Sequence, residues 1–452
     1  MPPESSVRIL FVGDMHLGRL PSSVPQAVID QGGFSPRDLG PAAAWQRIVD
    51  AALSHRVHAV ALAGDLVDRD NAMFEAYGPL ATGIRRLTEH GVLVAAVAGN
   101  HDTEVLPRLA AEIPDFHLLG PGGTWSEMNI SGDQGFNVQL VGWSFPARHH
   151  TASPLKKQLP PLQGITLGLL HADLDAIGSE YAPVRRAELA GTGLQGWFLG
   201  HVHRPEEIPT DGAPFYLGSV TGLNPNETGL HGPVLVQVSS GDALAARRLA
   251  LAPLRWEKLE IDCSGLDDPA QQIESHLLRR LGKFSGNQGN QLDEVRALGF
   301  RLILTGAVAD PAAVEKVLRH LDLGQLVTRH QGTVLFVQKI TNRLAARIDL
   351  LKVAQRGDPP GLLARRILAL ENPQQPVPGV NDPFQLSSGL VEQARQELTR
   401  VDSATVFKDL MPESTAPAAD EIREILIRSG RLALAGMLNQ TVSAQEAGHA
   451  VG

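Results

Sequence analysis

A chain of 452 residues that is 43% apolar and 20% charged reads as globular and is long enough for two or three domains. Its formal net charge of −9 excludes a protein that grips nucleic acid by bulk electrostatics, though not one with a local basic groove. No run approaches the roughly 18 uninterrupted apolar residues of a membrane span, the start MPPESSVRILFVGD lacks the order of a secretion signal, and the single cysteine, Cys263, cannot form an internal disulfide; a cytoplasmic, membrane-free protein is expected.

The first strand is expected at RILFVGD (8–14), and Trp45, Ile48, Val49, Ala52 and Leu53 follow at helical spacing. HAVALAGD (58–65) is a second strand, Phe74 to Leu87 a second helix and GVLVAAVAGN (91–100) a third strand. FNVQLVGW (136–143), ITLGLLH (165–171), GWFLGH (196–201), PFYLGS (214–219) and GPVLVQVS (232–239) continue the series. So many strands, several outside strict β-α alternation, suit a two-sheet α/β sandwich over residues 1–245 better than one doubly wound sheet. From Leu254 the order becomes strand (254–262), helix (269–282), strand (300–306), helix (311–321) and strand (332–340), a small α/β domain over 250–341. Residues 342–452 read as helical, broken by the linkers ENPQQPVPGVND (371–382) and MPESTAPAAD (411–420). The last helix places Ile422, Ile425, Leu426, Leu432 and Ala433 on or near one face, suited to its own domain or to a partner helix.

Five of the apolar runs end in acidic, amide or imidazole side chains. The first runs into Asp14 and His16, the second into Asp65 and Asp68, and the third into Asn100, His101 and Asp102. The run at 165–171 ends in His171, and WFLGH runs into His201 and His203. An isolated case is a strand-end cap or a residue meeting solvent, but five together converge where α/β sheets keep their sites. Carboxylates, an amide oxygen and imidazoles without thiolates suit manganese, iron or zinc. Seven candidate ligands (Asp14, His16, Asp65, Asn100, His171, His201 and His203), with one carboxylate able to bridge, are too many for one ion and fit two. Arg19, Arg69, Arg148, Arg185, Arg186 and Arg204 are candidates for a local basic groove, with Arg19, Arg69 and Arg204 the nearest to the motifs. The remaining histidines, His55, His58, His90, His117, His149, His150 and His231, read as surface or helix residues, and Arg148 to His150 are not expected to reach a phosphate.

In order, GDMH (13–16), GDLVD (64–68), GNHD (99–102), LLHADL (169–174) and GHVH (200–203) resemble the motifs of the calcineurin-like metallophosphoesterase superfamily. The resemblance implies that Asp14, His16 and His203 hold one ion, that Asn100, His171 and His201 hold the other, and that Asp65 bridges them. It implies a bridging water or hydroxide as nucleophile, His101 facing the phosphate to protonate or stabilise the leaving oxygen, Asp102 orienting His101, and Asp68 supporting the ligands from behind. Beyond the site, RILFVGDMHLGR (8–19), FYLGSVTGLNPNETGLHGPVLVQV (215–238) and LRWEKLEID (254–262) resemble the SbcD- and YhaO-type DNA repair exonucleases. That likeness implies a manganese-dependent 3′ to 5′ exonuclease, with endonuclease action when an ATPase is bound. It also implies a small domain that caps the site, C-terminal helices that bind the coiled coil of an SbcC-like ATPase, and a homodimer. A small-molecule or nucleotide phosphodiesterase on the same scaffold is the alternative.

Overall fold

The computed structural model describes residues 5–68, 73–241, 244–402 and 418–449. The chain divides into two compact units, the first made of Met1–Ile261, Glu274–Ile303 and His320–Thr341, the second of Asp262–Ile273, Leu304–Arg319 and Asn342–Gly452.

The first unit is built on an α/β sandwich. Its strands are β1 (Ser6–Val12), β2 (Ala59–Leu62), β3 (Leu93–Ala96), β4 (Phe116–Leu118), β5 (Trp125–Ser131), β6 (Asn137–Trp143), β7 (Thr166–His171), β8 (Gly196–Gly200), β9 (Phe215–Tyr216), β10 (Val234–Ser239) and β11 (Leu244–Arg248). One sheet has the order β11-β10-β1-β2-β3-β4 and the other β5-β6-β7-β8-β9. β1 to β4 run parallel, as do β6 to β9, whereas β10 and β5 pair antiparallel with β1 and β6.

Alternation along each strand decides which layer a side chain enters. Val7, Ile9 and Phe11 of β1 join Val138 and Leu140 of β6, Leu167 and Leu169 of β7 and Phe198 of β8 in the layer between the sheets. There the Phe11 and Phe198 rings stack with centroids 3.6 Å apart. Leu10 and Val12 face the other way, under the helices Pro41–Ser54 and Met73–Thr88. Those helices meet closely at Trp45, whose indole N–H donates to the Pro79 carbonyl at 3.1 Å while its ring lies against Gly83. Trp143, Leu170, Trp197 and Leu199 form a further core on the outer side of the second sheet.

Strands Leu254–Asp262, Ala297–Thr305, Thr333–Asn342 and Val327–His330 form a four-stranded sheet in that order. Its core of Leu254, Trp256, Ala297, Val334 and Phe336 packs with Val28 and Leu39.

The expected strands and helices form. β4, β5, β11 and Val327–His330 are additional, and β5 shows why: its sequence, WSEMNIS, is mostly half-exposed and has no apolar run.

In the second unit, helices Leu350–Ala354, Pro359–Glu371, Pro383–Asp402 and Ala419–His449 bury two clusters. Ala364 and Ile367 meet Leu434 in one, and Leu370 and Val391 meet Ile422 in the other. The single apolar face expected for the last helix is corrected. Ile422 and Leu426 turn inward, whereas Ala433 is exposed, as are Ile425 and Leu432, which share the opposite face at a seven-residue spacing. The linker at 411–420 lies largely outside the described residues. No helix among the described residues is long and apolar enough to cross a membrane.

Candidate metal centre

The carboxyl ends of β1, β2 and β3 in one sheet and of β7 and β8 in the other open onto the same place, and all seven candidate ligands meet there. Asp14, His16, Asp65, Asn100 and His171 are buried, while His201 and His203 keep part of their side chains exposed.

One group forms around Asp14, His16 and His203. The Nε2 atoms of His16 and His203 stand 2.8 Å apart. His203 Nδ1 lies 2.9 Å from Glu227 Oε1, so its proton sits on Nδ1 and Nε2 carries the lone pair. His16 Nδ1 is 3.3 Å from an Asp68 carboxylate oxygen but has no hydrogen-bond partner. Two ring nitrogens therefore face each other at a distance that a shared proton or a cation would bridge. Asp14 uses Oδ1 to accept the His201 backbone N–H at 2.8 Å and leaves Oδ2 buried without a hydrogen-bond partner.

A second group forms around Asn100, His171 and His201. His171 Nδ1 faces the Ala63 carbonyl at 2.9 Å, and a carbonyl only accepts, so Nε2 again carries the lone pair. That Nε2 lies 3.0 Å from Asn100 Oδ1 and 3.3 Å from His201 Nδ1. His201 Nε2 lies 3.1 Å from an Asp173 carboxylate oxygen. Asn100 Oδ1 and two ring nitrogens thus converge here. Between the groups, Asp65 Oδ2 lies 3.9 Å from His16 Nε2 and 3.5 Å from His171 Nε2, while its Oδ1 accepts the His101 backbone N–H at 3.0 Å.

These clustered ring nitrogens and the unpartnered Asp14 oxygen fit divalent cations. Uncompensated, they would carry the cost of buried unsatisfied acceptors. The donor atoms of Asp14, His16 and His203, and those of Asp14, Asp65 and His171, each lie within 4.8 Å of one another. Burial alone would raise the Asp65 carboxyl, but the imidazoles of His171, His16 and His101 hold it below its ordinary value.

The backbone is bent to aim these groups. His16, Asp65 and His201 have φ of 50°, 47° and 102°, a region side-chain-bearing residues rarely adopt. Gly200 is required by close approach: a Cβ there would stand 2.1 Å from the Ala63 carbonyl oxygen and 2.8 Å from His171 Nδ1. The crowding is with protein atoms. Gly200→Ala is expected to lower stability by about 1–3 kcal/mol, read from denaturant unfolding.

Other candidates fall less neatly. His101 Nδ1 lies 3.0 Å from the Asp68 backbone carbonyl, and its ring lies 5.3 Å from that of His16. Asp102 does not orient His101, which is a correction. Its carboxylate turns back to accept the N–H groups of Leu66 at 2.7 Å and Gly99 at 2.8 Å, stapling the loops after β2 and β3. Burial, then the charge of Asp65, raise Asp102 to about 8 against the pull of those donors. Asp68 does sit behind the ligands, 3.3 Å from His16, and Arg19 reaches within 3.9 Å of it. Arg204 is exposed and lines a 530 Å³ cavity together with Arg186, Glu206 and Glu207. Arg69 lies outside the described residues.

His231, expected at the surface, is buried behind His203, its two ring nitrogens facing the Ser219 and Glu227 carbonyls. His149 does not touch the ligands directly, but its ring lies 5.6 Å from Tyr181, which lies 5.2 Å from His201. Asp173 and Glu227, the carboxylates that hold His201 and His203, escaped the sequence reading. Asp173 stood within the quoted LLHADL, two residues after a ligand, which was the available signal.

The comparisons with known proteins agree with this geometry. Residues 7–205 match the family model described as calcineurin-like phosphoesterase. "Uncharacterized metallophosphoesterase YhaO" of Bacillus subtilis is 29% identical over 229 residues, covering 49% of this chain and 55% of that one. "DNA double-strand break repair protein Mre11" of Aeropyrum pernix is 26% identical over 276 residues, covering 56% and 63%. The protein of the same name from Haloferax volcanii is 25% identical over 342 residues, covering 71% and 66%. The chain thus spans less than two thirds of the length of each of these relatives. With this match and two adjoining groups of candidate metal ligands at its strand ends, the segment 7–205 is a calcineurin-like metallophosphoesterase domain.

Proposed function

We propose that this chain is a two-metal-dependent DNA phosphodiesterase, a 3′ to 5′ exonuclease of DNA repair that uses manganese. The observation that carries the reading is the meeting of seven donor side chains at the strand ends, with ring nitrogens and an amide oxygen facing one another across 2.8 to 3.3 Å. Asp14, His16 and His203 hold one ion, Asn100, His171 and His201 the other, and Asp65 is shared. Held there, two divalent ions would supply an acidified water as nucleophile and charge neutralisation at the phosphoryl group. His101, anchored through Nδ1 by the Asp68 carbonyl, presents Nε2 to the leaving oxygen. The names of the Mre11 relatives support DNA as substrate. Arg19, Arg69 and Arg204 contact its phosphates.

In this reading residues 1–245 act as the nuclease domain, 250–341 cap it, and 342–452 receive the coiled coil of an SbcC-like ATPase, with Ile425 and Leu432 on the exposed face of the last helix available to it. The protein works in the cytoplasm as a homodimer. The partner supplies the grip on DNA that a net charge of −9 withholds.

The test is hydrolysis of an end-labelled duplex in manganese, beside bis-p-nitrophenyl phosphate. Stepwise shortening of the duplex is expected. Turnover of the small diester with intact DNA, also with the ATPase added, would assign a small-molecule phosphodiesterase instead. Asp173→Ala, which frees His201 Nε2, is expected to weaken one of the two ions by about 10–100-fold, measured by calorimetric titration with manganese.

A further inference from the structure

His203 is held from behind by a polar network that lies off the strand-end motifs. Glu227 is 5% exposed, and its Oε1 stands 2.9 Å from His203 Nδ1 while also accepting the Asn224 side-chain amide. Its Oε2 accepts the Leu223 backbone N–H at 2.7 Å and lies 3.5 Å from the Ser219 hydroxyl. That hydroxyl is 3.1 Å from His231 Nδ1. The buried His231 spans the segment, with Nδ1 2.9 Å from the Ser219 carbonyl and Nε2 3.1 Å from the Glu227 carbonyl. The segment 219–231 is therefore fixed from within. It is also pinned from outside: the Trp256 indole N–H donates to the Gly222 carbonyl at 3.0 Å, the Gly229 N–H donates to the Trp256 carbonyl at 3.0 Å, and Arg301 bonds the Asn226 side chain. Trp256 and Arg301 belong to the four-stranded sheet.

We propose that Glu227 is a positioning residue: by holding the Nδ1 proton of His203 it aims Nε2 at the ion shared with Asp14 and His16, and it serves that ion alone. The inference rests on the two-metal reading above. The other ion has its own support in Asp173 behind His201, so the two carboxylates divide the centre between them. An imidazole with a free Nδ1 can turn about its side-chain bonds or exchange tautomers. A carboxylate braced by Leu223, Asn224 and Ser219, on a backbone that His231 holds, removes both freedoms.

The experiment is manganese titration of the full chain, followed by calorimetry and electron paramagnetic resonance, on wild type and three variants. Wild type is expected to bind two ions and to show the spectrum of a coupled pair. Glu227→Ala is expected to weaken one ion by about 10–100-fold and to leave the spectrum of an isolated ion. Glu227→Gln, which keeps an oxygen for the His203 proton, is expected to restore the pair. Glu227→Asp, one methylene shorter, keeps the carboxylate but withdraws it from His203 and is expected to behave as alanine does; it carries the test should Glu227→Ala not fold. Weakening of both ions alike, a coupled pair in the alanine or aspartate variant, or a glutamine variant as poor as alanine would overturn the proposal. A wild type that binds no manganese, zinc or iron would instead remove the two-metal reading on which it stands.

Discussion

His101→Ala is expected to lower DNA hydrolysis by about 10²–10⁴-fold while both ions still bind. The reason lies in how the residue is attached. Its backbone N–H, which alanine retains, is the group that donates to Asp65 Oδ1 at 3.0 Å. Its ring is held through Nδ1 by the Asp68 carbonyl and donates to no ligand. Truncation therefore removes the nitrogen proposed to serve the leaving oxygen and spares the centre. The loss falls in kcat, with KM little changed. It is smaller for bis-p-nitrophenyl phosphate, whose leaving group departs without a proton. Steady-state kinetics on both substrates beside a manganese titration checks this. An equal loss on both substrates, or loss of metal, would contradict the role.

Asp65→Asn is expected to cost more in binding and a comparable amount in rate. One carboxylate oxygen lies 3.9 Å from His16 Nε2 and 3.5 Å from His171 Nε2, so a single side chain faces both ligand groups. Asparagine matches the shape and removes the charge. Its amide also turns two N–H groups toward cations or leaves only one oxygen to share. With metal stabilisation worth several kcal/mol and 1.36 kcal/mol per tenfold, a loss of about 10³-fold in kcat/KM is expected. Manganese stoichiometry should fall below two in the same preparation. A variant that binds two ions with wild-type affinity would show that Asp65 is not shared.

The strand ends were legible because the physics is repetitive: an apolar run then a polar side chain, five times, with a glycine between them in four. The sandwich followed from the number of those runs, whereas weakly patterned strands, such as β5, and short helices, such as Val105–Glu112, stayed hidden. Partnerships between side chains were harder to read. Asp102 stands next to His101 in sequence, yet the turn sends its carboxylate back to Gly99 and Leu66. Glu227 lies 24 residues beyond His203 in a segment rich in Gly and Asn, where a carboxylate reads as solvated, and its burial depends on Trp256 folding over that segment. His231 was read as a surface residue for the same reason. In the last helix, Ile425 and Leu432 match the inward residues in polarity, and only packing against the preceding helices separates the two faces.

The first sheet delivers Asp14, His16, Asp65 and Asn100, and the second delivers His171, His201 and His203, so neither holds a complete set. His16 and His203 meet across 187 positions of sequence. The centre can therefore assemble only after the sandwich has closed, a late and slow event for a chain with such distant pairings. Ions that bind the closed sandwich and not the separated sheets favour closure by mass action, so the thermal midpoint should rise with manganese concentration and fall in chelator. The candidate metal centre would thus also act as a rivet, and the appearance of metal binding during refolding would time the docking of one sheet on the other.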